Sequence, residues 1–258
     1  PGLFTAVVYE SRDRAARLMS LPSDSISIGT TRDSQWSAFH QYRGNGHADV
    51  CINLQLVRRI DQVLDCACHE TYPGHHAELL LKEHRLYRMK GWHEHGILLT
   101  QTPQCALSEG LASCAFEATF ADDADLLCWL SEQLKSIEVD WQVPRVYPLV
   151  HRCLARLRVV MSNAAILYFI AKGSRSETLE YIEHYAITTP DRARRIFDFI
   201  TARECVHLAL GQASAMRVVG AFLKLRGQRG LADLLTEPWT LNSLCAAIDP
   251  ASTSAAIT

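Results

Sequence analysis

Cys68-His69-Glu70-Thr71-Tyr72-Pro73-Gly74-His75-His76 closes an apolar run (Ile52, Leu54, Leu56, Val57, Ile60, Val63, Leu64) and brings together three of the chain's 11 histidines and a glutamate. The run predicts a helix from about residue 54 to 72 that ends on the cluster. A helix ending this way is a good place to hold a metal ion. Zinc sites on helices usually pair His at i and i+4, with Glu at i+1 as the base. Here i+4 from His69 is Pro73, which cannot ligate, and His75 and His76 follow at i+6 and i+7. In an unbroken helix His76 would share the face of His69 but lie about 10 Å further along the axis. Convergence therefore requires a distortion between them. Pro73 removes a backbone donor and Gly74 permits unusual dihedrals, so the helix is expected to kink or break there. Spacing alone leaves a plain alternative open, a helix end and a solvated turn with no metal.

Working outward, the chain after residue 54 reads as almost wholly helical. A second helical piece spans about 75 to 89, followed by the turn Gly91-Trp92-His93-Glu94-His95-Gly96. Thr102-Pro103 has the form of an N-cap with proline at the first helical position, opening a helix to Ala121. Further helices are expected over Asp123–Val139, Pro144–Lys172, Ser176–Ala186, Thr189-Pro190 to Ile200, Arg203–Arg226 and Leu231–Ile248, with Ala251–Thr258 as a frayed tail. Before the motif, Leu3–Glu10, Ser25–Thr31 and His47–Gln55 alternate in β-branched residues and predict three short strands of one antiparallel sheet, with loops at Pro22, Gly44 and Gly46. The expected fold is mainly α: a single helical domain with a small β appendage over about 3–55.

Composition limits the partners. The 258 residues include 48% hydrophobic ones, enough for a substantial core, and Lys+Arg 26 against Asp+Glu 28 leaves a formal charge of −2 without long blocks of either sign. Neither a nucleic-acid nor a membrane partner is expected, and no uninterrupted apolar stretch reaches the roughly 18 residues of a membrane span. Val159–Ile170 comes nearest but is cut by Ser162 and Asn163, so it reads as a buried helix. The nine cysteines, an odd number spread through apolar segments, point to reduced and mostly buried thiols and to a cytoplasmic setting. The chain opens on Pro1-Gly2-Leu3 without a methionine or signal peptide, as a processed product or a piece of a longer protein would. Composition sets no oligomeric state.

His69-Glu70-Thr71-Tyr72-Pro73-Gly74-His75-His76 resembles the H-E-x-x-P-G-H-H motif of the bacterial proteins catalogued as domain of unknown function 885, which look like zinc metallopeptidases of the gluzincin kind. Trp36 to Asn53 resembles the family's strand segment, Ser108-Glu109-Gly110-Leu111-Ala112 through Glu117 its E-G-W-A-x-x-x-E helix, and Leu210-Gly211-Gln212-Ala213 through Gly220 and Arg226 its P-G-Q-A segment. The resemblance spans about residues 36 to 226, the catalytic half of longer relatives. It implies that His69, one of His75 and His76 (His75 preferred, because it follows Gly74 directly) and Glu109 hold zinc or another divalent metal. It also implies that Glu70 activates the bound water and that Glu117 orients a ligating histidine from behind. The apolar neighbours of Glu109 (Leu107, Leu111, Ala112, Cys114, Ala115) favour a partner for its carboxylate, although a helix glutamate facing water is the simpler alternative.

The substrate side departs from the family pattern. Its Asp-Thr-Gly-x-His run is matched here only by Met161-Ser162-Asn163-Ala164-Ala165, its Gln-Ala-x-x-Tyr tyrosine is Met216, its proline is Leu210, and no Arg-Tyr pair stands upstream. Tyr168, Asn163, Gln212 and, more remotely, Arg156 are candidates to line the altered pocket. His93-Glu94-His95 is a weaker candidate for a second metal site. His84, His151, His184 and His207 read as packing or surface residues. The expected function is a metal-dependent hydrolase of amide or related acyl bonds in a small-molecule or peptide-like substrate. A cyclase or lyase on the same scaffold and an inactive binding scaffold stand as alternatives.

Overall fold

The computed structural model describes residues 2–34, 36–57, 59–139, 142–203 and 205–249. The expected tail Ala251–Thr258 lies outside them. Leu3, Phe4, Val7, Val8, Ser11 and Ala15 are buried at helical spacing, and Gly2–Leu18 is accordingly a helix, α1. The expected first strand is thus a helix. Its first eight residues are rich in β-branched and aromatic ones (Phe4, Thr5, Val7, Val8, Tyr9), but the apolar stripe runs on to Ala15, and Glu10 pairs with Arg14 one turn later at 2.7 Å.

The sheet comprises β1 (Ser25–Thr31), β2 (Ala38–Gly44) and β3 (His47–Asn53). Its order is β1-β3-β2, with β3 antiparallel to β2 and parallel to β1, so it is mixed rather than antiparallel. β3 takes the centre because Ala48, Val50 and Ile52 are its buried face, whereas β1 and β2 are half-covered edges. The expected loop at Gly44 and Gly46 is a tight hairpin turn in which Gly44, Asn45 and Gly46 all have positive φ (85°, 55° and 76°).

Helices make up 66% of the chain and strands 9%, which bears out a mainly α architecture with a small N-terminal sheet. After the sheet come α2 (Ile60–Glu70) and α3 (His75–Lys82), the latter running into a π-helical turn over Glu83–Met89. Thr102 caps α4 (Pro103–Ser113) by accepting from the Cys105 amide, as its sequence indicates, but the helix stops at Cys114 and restarts as α5 (Ala115–Thr119). Then follow α6 (Asp123–Ser136), α7 (Tyr147–Arg156), α8 (Val159–Phe169), α9 (Arg175–Tyr185, capped by Ser174) and α10 (Pro190–Thr201, capped by Thr189). The expected long helix from Pro144 is therefore two, broken at Leu157-Arg158. α8 is only partly covered, since Ile166 is exposed. The last elements are α11 (Val206–Thr236), kinked at Gly227 (φ 58°), and α12 (Leu241–Ile248).

The main core lies among α1–α6, α11, α12 and the buried face of β3, and a smaller one among α8–α10. α11 joins them, giving Ala209 to the smaller and Val219 and Phe222 to the larger. By length and composition α11 is also the one described helix that could cross a membrane. The nine cysteines form no disulfide, but only Cys68 and Cys205 are buried, and Cys128, Cys153 and Cys245 are exposed. The thiols are thus less buried than expected, because several ride on the outer faces of their helices.

Candidate metal centre

α2 ends after Glu70, and Thr71 turns the chain by donating its hydroxyl to the Ala67 carbonyl at 2.6 Å. The Tyr72–Pro73 peptide is cis, the Gly74 amide reaches back to Cys68 O at 3.2 Å, and α3 opens with His75. The expected distortion is thus a full interruption of the helix. Glycine is required at its end: a Cβ on Gly74 would lie 1.9 Å from His69 O and 2.4 Å from Cys68 O. This close approach folds the two histidines together, their rings edge to face at 4.7 Å.

Glu109 comes from α4, which presses against α11 so closely that a Cβ on Gly110 would meet the Ala215 backbone at 2.7 Å. His69 Nε2 lies 3.5 Å from Glu109 Oε2 and His75 Nε2 lies 3.4 Å from Glu109 Oε1. One donor atom from each of the three residues falls within a 4.8 Å set, the single such cluster among the described residues. Four ligands at about 2.1 Å around a tetrahedral ion stand about 3.4 Å apart, so two imidazoles and a carboxylate at these separations suit a zinc-type ion. Burial disfavours the Glu109 charge, but hydrogen bonds from His69 and His75 outweigh it and hold the carboxyl well below its usual range. For His75, burial pushes downward while the Glu109 hydrogen bond and charge, with Glu70 and Glu78 beyond, raise it to about 9.

A second layer braces His75. Its Nδ1 is 3.1 Å from Ser108 Oγ, Ser108 donates to Glu78 Oε2 at 2.5 Å, and Lys82 Nζ is 2.5 Å from Glu78 Oε1. Because the serine proton goes to Glu78, its oxygen accepts from His75 Nδ1–H. In neutral His75 this leaves the Nε2 lone pair directed at the cluster, the arrangement that suits a metal-ligating imidazole. Gln212, on α11, donates to Glu109 Oε2 at 3.3 Å and to Ser113 Oγ at 3.2 Å. A cavity of about 210 Å³ opens beside Glu109, bounded by Thr102, Pro103, Ala106, Leu208 and Gln212.

The expected residues thus separate. His69, His75 and Glu109 converge, and Glu70 is buried beside them, its charge reaching His75. His76 does not join. It is fully buried with Nε2 toward Asp24 Oδ2 (3.1 Å) and Nδ1 toward His40 Nε2 (3.4 Å). Glu117 stands on α5, beyond the break at Cys114, and makes no hydrogen bond to a cluster histidine among the described residues; its Oε2 is buried without a hydrogen-bond partner. Ser108 and Glu78 hold the place expected for it. Of the substrate-side candidates only Gln212 reaches the site. Tyr168 packs edge-on against Phe169 and Phe197 in the smaller core, and Asn163 and Arg156 are exposed.

His93 and His95 lie on a 3-10 turn, against Tyr87 and Trp92, and form no metal cluster with described residues. His207, expected to pack or face solvent, lines the cavity beside Glu109. Glu78, Lys82 and Asp24 carry no motif of their own, and Ser108 and His40 stand in the resembling stretches Ser108–Glu117 and Trp36–Asn53 without a role of their own. The one readable signal was Glu78-x-x-x-Lys82 inside the apolar stretch Ala77–Leu81, where two charges would need each other. Compared with models of known families, with curated proteins and with solved structures, the chain has no match.

Proposed function

We propose that the chain is a metal-dependent hydrolase of amide or related acyl bonds, with zinc or a similar divalent ion held by His69, His75 and Glu109. The convergence of those three donors, with 3.4 and 3.5 Å between the carboxylate and the two imidazoles, carries the reading. The resemblance of the His69–His76 stretch to the gluzincin-like motif supports it. A divalent ion there supplies a Lewis acid that makes bound water acidic near neutral pH and polarises a carbonyl.

The protein's own groups do the rest. Glu70, next to His69 and buried, takes the proton of the attacking water and returns it to the leaving nitrogen. Ser108, Glu78 and Lys82 hold His75 in its ligating tautomer, and Gln212 fixes the Glu109 carboxylate. The cavity beside Glu109 is about 210 Å³, below the roughly 300–1,000 Å³ of sites for drug-sized ligands, so a small group of the substrate enters it.

Glu70→Gln tests the assignment. In a screen of acylated amino acids and dipeptides, this variant should lose at least about 100-fold in turnover while retaining the wild-type zinc content. Undiminished turnover in the variant would exclude Glu70 as the base.

A further inference from the structure

A second cavity lies where α9 gives way to α10, against the start of α2. Arg192 and Arg195 fall on one face of α10 at i, i+3 spacing. With Arg59, at the N-cap of α2, they line a cavity of about 710 Å³, within the roughly 300–1,000 Å³ of small-ligand sites. Arg59 is held by Asp61, Nε to Oδ1 at 2.9 Å and Nη2 to Oδ2 at 2.7 Å. Arg192 and Arg195 make no ion pair with any described residue, and Glu183 is the one acid that lines the cavity. Burial, and then the charges of Arg59 and Arg195, lower the Arg192 pKa from its ordinary value, and Asp61 only partly offsets them. A guanidinium does not escape by losing its proton. Folding thus gathers three cations around a cavity with too little negative charge to balance them, a repulsion that an incoming anion relieves.

The segment joining the two helices is strained at the same place. Thr188 N donates to Glu183 O at 3.2 Å, closing the end of α9 with Ile187 in the left-handed region at φ 50°. Glycine or asparagine is the ordinary occupant of that position, because a β-branched side chain crowds its own backbone there. Ile187 is also 82% exposed, so no core contact offsets its conformation, and it lines the cavity with the arginines. A strained residue that presents an apolar side chain to a cavity suits contact with a ligand.

We propose that this cavity binds a phosphate monoester, with the phosphate on Arg59, Arg192 and Arg195 and an apolar part of the ester against Ile187. A phosphate dianion offers three terminal oxygens to the guanidinium forks, whereas a carboxylate has two oxygens and one charge. Thr188, which also lines the cavity, adds a hydroxyl donor. The site is separate from the metal centre, since Arg59 and His69 stand near opposite ends of α2, about 15 Å apart along its axis. It does not depend on the hydrolase reading.

Phenyl phosphate, inorganic phosphate and benzoate, each titrated by calorimetry into the chain as purified at about 0.15 M salt, test the parts separately. Phenyl phosphate should bind about fivefold tighter than inorganic phosphate, the value of covering about 40 Å² of apolar surface, and at least about tenfold tighter than benzoate. Arg192→Ala and Arg195→Ala should each weaken it at least about tenfold. Arg194→Ala removes the same charge from the same helix, at a residue paired with Asp191 outside the cavity, and should change it by less than about twofold. Ile187→Gly should erase the preference for phenyl phosphate over inorganic phosphate while raising thermal stability, because glycine adopts this backbone freely. Folded Glu109→Ala should bind phenyl phosphate as the wild type does. No saturable binding of phenyl phosphate, benzoate binding equally well, equal losses in Arg192→Ala and Arg194→Ala, or a preference for the phenyl ester that survives Ile187→Gly would each overturn the proposal. So would loss of binding in Glu109→Ala, which would put the anion on the metal centre.

Discussion

Gly74→Ala isolates the feature on which the metal centre depends. An alanine Cβ would be built 1.9 Å from His69 O, whereas real Cβ atoms essentially never come within 3.0 Å of another heavy atom. Separating them takes a movement of about 1.1 Å, roughly five times the 0.2 Å within which ligand distances must fall. The groups that must move are the carbonyl of one ligand and the residue before the other, so the shift separates His69 from His75 directly. Overpacking of this kind destabilises by about 1–3 kcal/mol, and zinc affinity should fall by at least about 100-fold. Competition with a chromophoric chelator measures the affinity, and thermal unfolding with and without zinc measures the coupling. The variant should lose most of the stabilisation that zinc gives the wild type. Gly29→Ala is the control, because a Cβ there meets nothing within 4 Å. Wild-type zinc affinity in Gly74→Ala would refute the argument that this backbone approach sets the ligand geometry.

Other expected outcomes follow from the second layer and from titration. Ser108→Ala strands His75 Nδ1 and Glu78 Oε2; zinc affinity should fall about 10- to 100-fold, and an unchanged value would mean that the serine does not orient the imidazole. Lys82→Met leaves the Glu78 carboxylate buried without its cation, a loss of about 3–5 kcal/mol in denaturant unfolding that a Glu78→Gln partner substitution should largely restore. Without metal, His75 is raised from 6.5 to about 9, so its contribution to stability is full below pH 6.5 and is lost as pH rises through 9. Zinc must displace that proton, so its affinity should climb by about tenfold per pH unit across the same window and level off above it. A flat pH profile in the chelator assay would contradict the His75 assignment.

The parts of the fold and site that were legible in the sequence are those written in local chemistry. Proline at i+4 from His69 announced the interruption, and the apolar surroundings of Glu109 announced that its carboxylate has partners. Thr102-Pro103 and Thr189-Pro190 marked helix starts because their capping atoms lie within three residues. What was missed depends on contacts between distant residues. Asp24 and His76 are 52 positions apart, and His40 meets His76 only because β2 lies on the edge of the sheet facing α3. Alternation of β-branched residues does not mark β2, which only the resemblance of Trp36–Asn53 to a strand segment covers, although Gly44-Asn45-Gly46 is a strong hairpin signal; α1 reads as a strand because eight residues cannot distinguish one from the start of a longer helix. The expectation for Glu117 takes two turns of continuous helix, whereas the chain makes two separate pieces at Cys114, a break that neither glycine nor proline marks.

The most direct test of the account is elemental analysis of protein purified without chelator and dialysed against dilute zinc, set beside Glu109→Ala handled identically. The account expects about one tightly held ion per wild-type chain and its loss in Glu109→Ala, with the fold of the variant verified by circular dichroism. A wild-type chain that retains no ion, or a folded Glu109→Ala that retains as much as the wild type, would contradict it.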